Sequence, residues 1–211
     1  MTTITIIGSG GMATAIGTLA GKAGHVVEVL SRNPANAREL VDAIGADAIV
    51  GEFGATPRGD MVFLAVPYAV VLDVVARYGD KLAGKLLVDL TNPVAPDLTS
   101  FVTPADSFGA QEIAKAAPAS TIVVKAFNGH FSHVVAAGRT FRVPVDVFIA
   151  GDDADAKQRV SDFTTSLGLR PLDVGALPMA RTLEHLCLLS LGLIANATRH
   201  TDFAIGVSLP D

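Results

Sequence analysis

The sequence predicts an α/β fold: a Rossmann-type, doubly wound and mostly parallel sheet with a short C-terminal α/β extension. Strand-like and helix-like segments alternate along nearly the whole chain, and a parallel sheet with helices on both faces is the natural solution to that order. Several strand-like runs are continuously apolar, as in Met61-Val62-Phe63-Leu64-Ala65-Val66, which is what strands buried on both faces require. The first strand-like run, Thr3–Ile7, leads directly into Gly8-Ser9-Gly10-Gly11-Met12-Ala13. Strand, Gly-x-Gly-x-x-Ala turn and helix, in that order, are the dinucleotide fingerprint.

In that turn Gly8 allows a sharp reversal, Gly10 lacks the Cβ that would hold a pyrophosphate away, and Ala13 stands where strand and helix pack closely. The helix that follows carries a stripe of small residues, Ala13, Gly17, Ala20 and Gly24, which lets it lie low on a sheet. Gly17 and Gly21 each cost roughly 1 kcal/mol relative to Ala inside a helix, so close approach has to offset them. Val26–Leu30 reads as the second strand and Pro34–Ile44 as the second helix, with Pro34 suited to its first turn. Residues 47–57 are glycine-rich and carry no assignment. The apolar run 61–66 is the next strand, stopped by Pro67; residues 69–78 are a helix and 85–90 a strand.

Residues 91–107 show no period and hold Pro93, Pro96 and Pro104, and a loop this long in a compact domain is often a lid or a binding loop. Helix returns at 108–117, strand at 121–125, a short helix at 131–137 and strand at 145–150. Gly151-Asp152-Asp153-Ala154-Asp155 then opens a helix to about Leu167. Its aspartates suit an N-cap and the helix dipole rather than a metal, since a calcium loop's further ligands and closing Glu are missing. Residues 170–174 form a last short strand and 179–200 a long closing helix. The expected division is a dinucleotide-binding core over 1–138 and an extension of strand, helix, strand and long helix over 139–211, packed on the same domain.

Composition narrows the function classes. Half the residues (50%) are hydrophobic and 18% are charged, which excludes a disordered chain, and a net charge of −5 without a basic cluster argues against nucleic acid and acidic membranes as partners. The single cysteine, Cys187, cannot form an internal disulfide and no positively charged leader precedes an apolar segment, so the expected address is cytoplasmic. The most apolar stretch, 183–197, is interrupted by Glu184, His185 and Ser190 and is too short for a membrane span. A closing helix apolar on most sides needs cover on most sides, which points to a homodimer or to burial within one chain.

In this fold class ligands collect at the carboxyl ends of the strands. Those ends are Gly8 to Met12, Ser31-Arg32-Asn33, Val66-Pro67-Tyr68, Thr91-Asn92-Pro93 and Ala126-Phe127-Asn128. Folds that prefer NAD place an Asp or Glu at the second strand tip to hold the adenosine ribose. Here Glu28 lies three residues too early, about 10 Å short at the usual strand rise, and the tip itself is Ser31-Arg32-Asn33. Arg32, with the Ser31 hydroxyl and Arg38 one turn into the helix, instead suits the 2′-phosphate of NADP(H).

No Ser-His-Asp spacing or metal-ligand set is present, and no catalytic residue is assigned. His130 and His133 follow the fifth strand tip and are candidate proton donors for a dehydrogenase or imine reductase, weighed against a plain reading as partly exposed loop and helix-start histidines. A site this sparse suits hydride transfer between nicotinamide and a stacked flavin or deazaflavin, because the two rings carry the chemistry. A non-catalytic NADP(H)-binding sensor is the alternative from another class.

Ile7-Gly8-Ser9-Gly10-Gly11-Met12, the run 24–32 ending in Leu30-Ser31-Arg32, Val66-Pro67, the run 145–153, and Gly168-Leu169-Arg170-Pro171-Leu172-Asp173-Val174-Gly175 fall in an order that resembles the NADPH-dependent coenzyme F420 reductases over nearly the whole chain. Val124-Lys125-Ala126-Phe127-Asn128 is also similar to the cytosolic reductase domain of six-transmembrane metalloreductases, which reduce a flavin with NADPH. The resemblance implies that residues 9–12 bind pyrophosphate, that Ser31 and Arg32 hold the 2′-phosphate, that Pro67, Asn92 and residues 126–128 border the nicotinamide, and that two chains pair. It further implies coenzyme F420 or a flavin as co-substrate. The family often has another basic residue directly after the Ser-Arg pair, where this chain has Asn33.

Overall fold

The computed structural model describes residues 1–45, 47–140 and 143–208. The first half runs β1 (Thr3–Ile7), α1 (Gly11–Lys22), β2 (Val26–Leu30), α2 (Pro34–Ile44), β3 (Ala48–Gly51), β4 (Met61–Leu64), α3 (Tyr68–Tyr78) and β5 (Leu86–Asp89). The second runs α4 (Gly109–Ala116), β6 (Ile122–Lys125), α5 (Ser132–Ala137), the two-residue strands β7 (Arg139–Thr140) and β8 (Val143–Pro144), β9 (Asp146–Gly151), α6 (Ala154–Ser166), β10 (Arg170–Gly175) and α7 (Met179–Leu193). Among the described residues no helix is long and apolar enough to cross a membrane.

One eight-stranded sheet has the order β10-β9-β6-β5-β4-β1-β2-β3, and every neighbouring pair is parallel except β6 and β9. Alternate residues of the apolar strands enter opposite layers. Met61, Phe63, Leu86 and Val88 join the core under α1, α2, α5 and α6, whereas Val62, Leu64 and Leu87 join the one under α3 and α4. Both faces are therefore dry, which explains runs without polar alternation. After β3 the chain returns across β1 to form β4, so the strand order reverses between β1 and β4 and opens a crevice at their carboxyl ends.

The structure departs from the sequence reading in three places. Residues 47–57, left unassigned, contain β3, a short edge strand that is only partly buried and so lacks an apolar signature. The close approach expected of α1 is made largely to α2: a Cβ on Gly17 would stand 2.7 Å from Ile44 Cδ1 and one on Gly21 2.7 Å from Ile44 Cγ2. The closing helix is α-helical only to Leu193, passes through a π turn over Ile194–Thr198, and is stopped by Arg199 in the left-handed region at φ 57°. The sheet is mostly parallel, as the sequence predicts; its antiparallel pair is β6 with β9, the latter within the expected extension over 139–211. Of that extension, residues 141–142 and 209–211 lie outside the described residues. Asp153 caps α6 as expected, its carboxylate accepting from the Ala156 amide at 2.7 Å.

Candidate functional site

The turn from β1 to α1 forms the centre of the crevice. Gly8 has φ 127°, and a Cβ there would stand 2.1 Å from the Ala65 carbonyl oxygen, so the chain can pass only with glycine. Gly10 differs: it is the N-cap of α1 with ordinary extended angles, and a Cβ on it would meet nothing within 4 Å. No side chain caps α1 and no acidic residue stands in its first turn, so the amides of that turn lack intrahelical acceptors and offer donors to an anion. Gly11 and Met12 can contribute these amides only. A Cβ on Gly11 would press on Ser132 Oγ of α5, and Met12 packs against the core.

The tip of β2 forms one wall. Ser31 Oγ lies 2.9 Å from Ser9 Oγ, linking the two turns, and the exposed Arg32 stands at the mouth of a cleft of about 280 Å³. The other walls come from Val66 and Pro67 after β4 and from Phe53 and Val74, which present apolar surface. Asn33 lines this cleft, but its Oδ1 is engaged by the Ala35 amide as the cap of α2. Arg38 is exposed on α2 and is not among the cleft's walls. Phe53 and Asn36 line the cleft without having been singled out in the sequence; the glycine-rich setting of Phe53 hides its packing against Tyr78. Glu28 is buried, accepting from Thr5 Oγ1 at 2.7 Å and the Arg58 amide at 2.8 Å, and does not reach the strand tip.

Past Pro67, the tips of β5 and β6 meet. Asn92 Nδ2 donates to the Asn128 carbonyl at 2.9 Å, and Asn128 Nδ2 donates to Asn92 Oδ1 at 2.8 Å and to the Leu183 carbonyl at 2.9 Å. Ala126 and Phe127 have fully buried side chains, so at this edge they can present backbone alone. Tyr68 begins α3, and its hydroxyl is pushed up to about 12 by burial, with the charges of Glu112, Glu184 and Asp89 adding to the effect. Pro93 packs against Gly109, where a Cβ would meet its Cδ at 3.3 Å. Beyond this edge a second cleft of about 490 Å³ opens between residues 101–108 and α7, with Phe101, Phe108, Arg181 and His185 in its walls. That is the size range of small-molecule sites.

A group of charged residues beside this edge escaped the sequence reading. Lys125, Asp89 and Glu184 are all buried, with the ammonium 2.8 Å from Asp89 Oδ2 and 3.1 Å from Glu184 Oε1. The available signal was a charge in each of three apolar runs: Leu86-Leu87-Val88-Asp89, Ile122-Val123-Val124-Lys125, and 183–197.

Neither candidate histidine lines the crevice. His130 is buried rather than partly exposed, because its ring packs beneath β9 with Nε2 2.7 Å from the Asp146 carbonyl, and burial pulls its pKa below the usual histidine value. His133 is half exposed and faces Asp202, with Nε2 3.0 Å from its carboxylate.

Comparison with known proteins gives matches of matching kind. The family described as NADP oxidoreductase, coenzyme F420-dependent, matches residues 3–93. The chain is 33% identical over 183 residues to the metalloreductase STEAP3 of Rattus norvegicus, covering 85% of this chain but only 35% of that protein, so it spans about a third of that relative's length. It is 30% identical over 165 residues to the F420-dependent NADP reductase of Methanocaldococcus jannaschii, covering 74% of this chain and 73% of the other. A crystal structure from Arthrobacter sp. superimposes with a TM-score of 0.87 over 99% of this chain and all (100%) of the other; at 23% identity this likeness shows the fold.

Proposed function

This chain belongs to the F420-dependent NADP reductase family of oxidoreductases, and from that membership we propose that it binds NADP(H) in the β1–β4 crevice and exchanges hydride with coenzyme F420 or a flavin. The observation that carries the reading is the crevice itself. The open space at Gly10 faces an uncapped helix N-terminus, which suits a pyrophosphate, while Arg32 and the Ser9–Ser31 hydroxyl pair suit a 2′-phosphate. Phe53 and Val74 offer the apolar surface an adenine needs, and the Asn92–Asn128 pair offers amide groups for a nicotinamide carboxamide. When bound, the cofactor supplies a hydride, which with one proton from solvent reduces the acceptor ring. The protein's part is to hold the rings face to face and exclude water. The cleft of about 490 Å³ beyond Asn92 is the seat for the acceptor.

Anaerobic NADPH oxidation tests this, with coenzyme F420, FMN, FAD and riboflavin offered separately and NADH as control donor. Turnover of the deazaflavin or a flavin with NADPH, and much less with NADH, is the expected result. NADPH binding without turnover of any acceptor would overturn the ring-to-ring reading and favour a sensor.

Pairing of two chains and a cytoplasmic setting belong to the same proposal. The pairing is supported by an apolar hollow of about 430 Å³ between β9, β10 and α7, where Met179 and Leu189 are 38% and 55% exposed. The setting is supported by the single cysteine.

A further inference from the structure

We infer that Lys125 is a positioning residue for the nicotinamide half of the cofactor, acting through the Asn92–Asn128 pair; the inference rests on the NADP(H) reading above. Lys125 ends β6, has no exposed side-chain surface, and donates to three acceptors: Asp89 Oδ2 at the end of β5, the Thr91 carbonyl in the following loop, and Glu184 Oε1 on α7. An ammonium has three donors, so all are engaged and none is left for a ligand. The carboxylates are equally occupied. Asp89 Oδ1 accepts from the Thr91 amide at 2.8 Å and its hydroxyl at 2.7 Å, and Glu184 accepts from the Gly109 and Ala110 amides at 2.9 and 3.1 Å. The first turn of α4 thus offsets the second negative charge on the cluster.

What the cluster holds is the cofactor edge. Thr91 directly precedes Asn92, Leu183 directly precedes Glu184, and Asn128 donates to the Leu183 carbonyl, so one ammonium ties together the three segments that deliver the amide pair. Between Lys125 and Asn128 lies Phe127 at φ 62°, a left-handed conformation that a bulky residue adopts only when its surroundings impose it. Lys125 clamps one side of that bend and Asn128 the other, while the Phe127 ring is anchored 6.1 Å from that of Phe63. Packing alone gives no reason for a charge here, because a buried ion pair is often no more stabilising than well-packed apolar side chains. A fixed geometry at a strained strand tip does give one.

The test compares NADPH with 2′,5′-ADP, which keeps the adenine and 2′-phosphate but lacks the nicotinamide. In Lys125→Met, 2′,5′-ADP affinity should stay within about twofold of the parent. The extra affinity of NADPH over 2′,5′-ADP should shrink about tenfold, and the fluorescence lifetime of bound NADPH should shorten, reporting a looser nicotinamide. Glu184→Gln leaves Lys125 its contacts to Asp89 and Thr91 and should show a smaller loss in the same direction; it decides the matter if Lys125→Met does not fold. A lower melting temperature with unchanged ligand preference and lifetime would make Lys125 purely structural and overturn the inference, as would equal weakening of both ligands. If the parent protein binds neither ligand, the NADP(H) reading itself fails and the inference falls with it.

Discussion

Gly8 and Gly10, two residues apart in the same turn, should separate folding from cofactor binding. At Gly10 the backbone angles suit any residue and an added methyl meets no atom within 4 Å. Ala is a poorer N-cap than Gly by about 0.5–1 kcal/mol, but it also removes freedom from the unfolded chain by about 0.4–1 kcal/mol. Gly10→Ala should therefore melt within a few degrees of the parent. The methyl would occupy the space assigned to the pyrophosphate and disturb the amide contacts there. Each hydrogen bond to a charged group contributes about 1.5–3 kcal/mol, so NADPH affinity should drop about ten- to a hundredfold, and NADH affinity with it. Gly8→Ala inverts the pattern: its methyl overlaps the Ala65 carbonyl at 2.1 Å on a φ of 127°, which no side-chain rotation relieves, and the cost should exceed about 4 kcal/mol. Thermal melts paired with NADPH titration at fixed ionic strength distinguish the two. If Gly10→Ala binds NADPH as tightly as the parent, the pyrophosphate does not lie on this turn and the placement is wrong.

Arg32→Ser should weaken NADPH about tenfold while leaving NADH unchanged, with the difference fading as salt rises because Arg32 is exposed; parallel titrations at low and high salt read both effects. Arg38→Ser, outside the cleft, should do less. Burial holds the His130 pKa below the ordinary 6.5, so near that pH the unfolded chain binds a proton that the folded chain refuses. The stability this contributes is complete above pH 6.5 and is lost as pH falls from there toward the lower folded value, a loss that His130→Gln should make shallower in denaturant titrations across that range. The proposed pairing predicts that Leu189→Asp sediments as a monomer while the free energy of unfolding of the single chain changes by no more than about 0.5 kcal/mol, since Leu189 is 55% exposed there.

The elements nearest the fingerprint were the most legible. β1, β2 and α2 fall on the residues that the sequence predicts, because β-branched runs, a turn glycine and Asn33-Pro34 at a helix start are signals carried by adjacent residues. The crevice wall made by Gly8, Ser31, Arg32 and Pro67 was legible for the same reason, since doubly wound topology gathers strand ends that are separately recognisable. β3 was not, because a short, partly exposed edge strand has no apolar period.

Local periodicity and turn chemistry were enough for the fold class, most element boundaries and part of the first crevice's lining, but not for Asn36 and Phe53. The folded chain was needed to show that Lys125 meets Asp89 and Glu184, partners 36 and 59 residues away, that Phe127 is bent into the left-handed region, and that His130 turns inward onto Asp146. Pairings of that kind depend on which strand ends lie side by side and how a distant helix closes over them. No window of neighbouring residues contains that information.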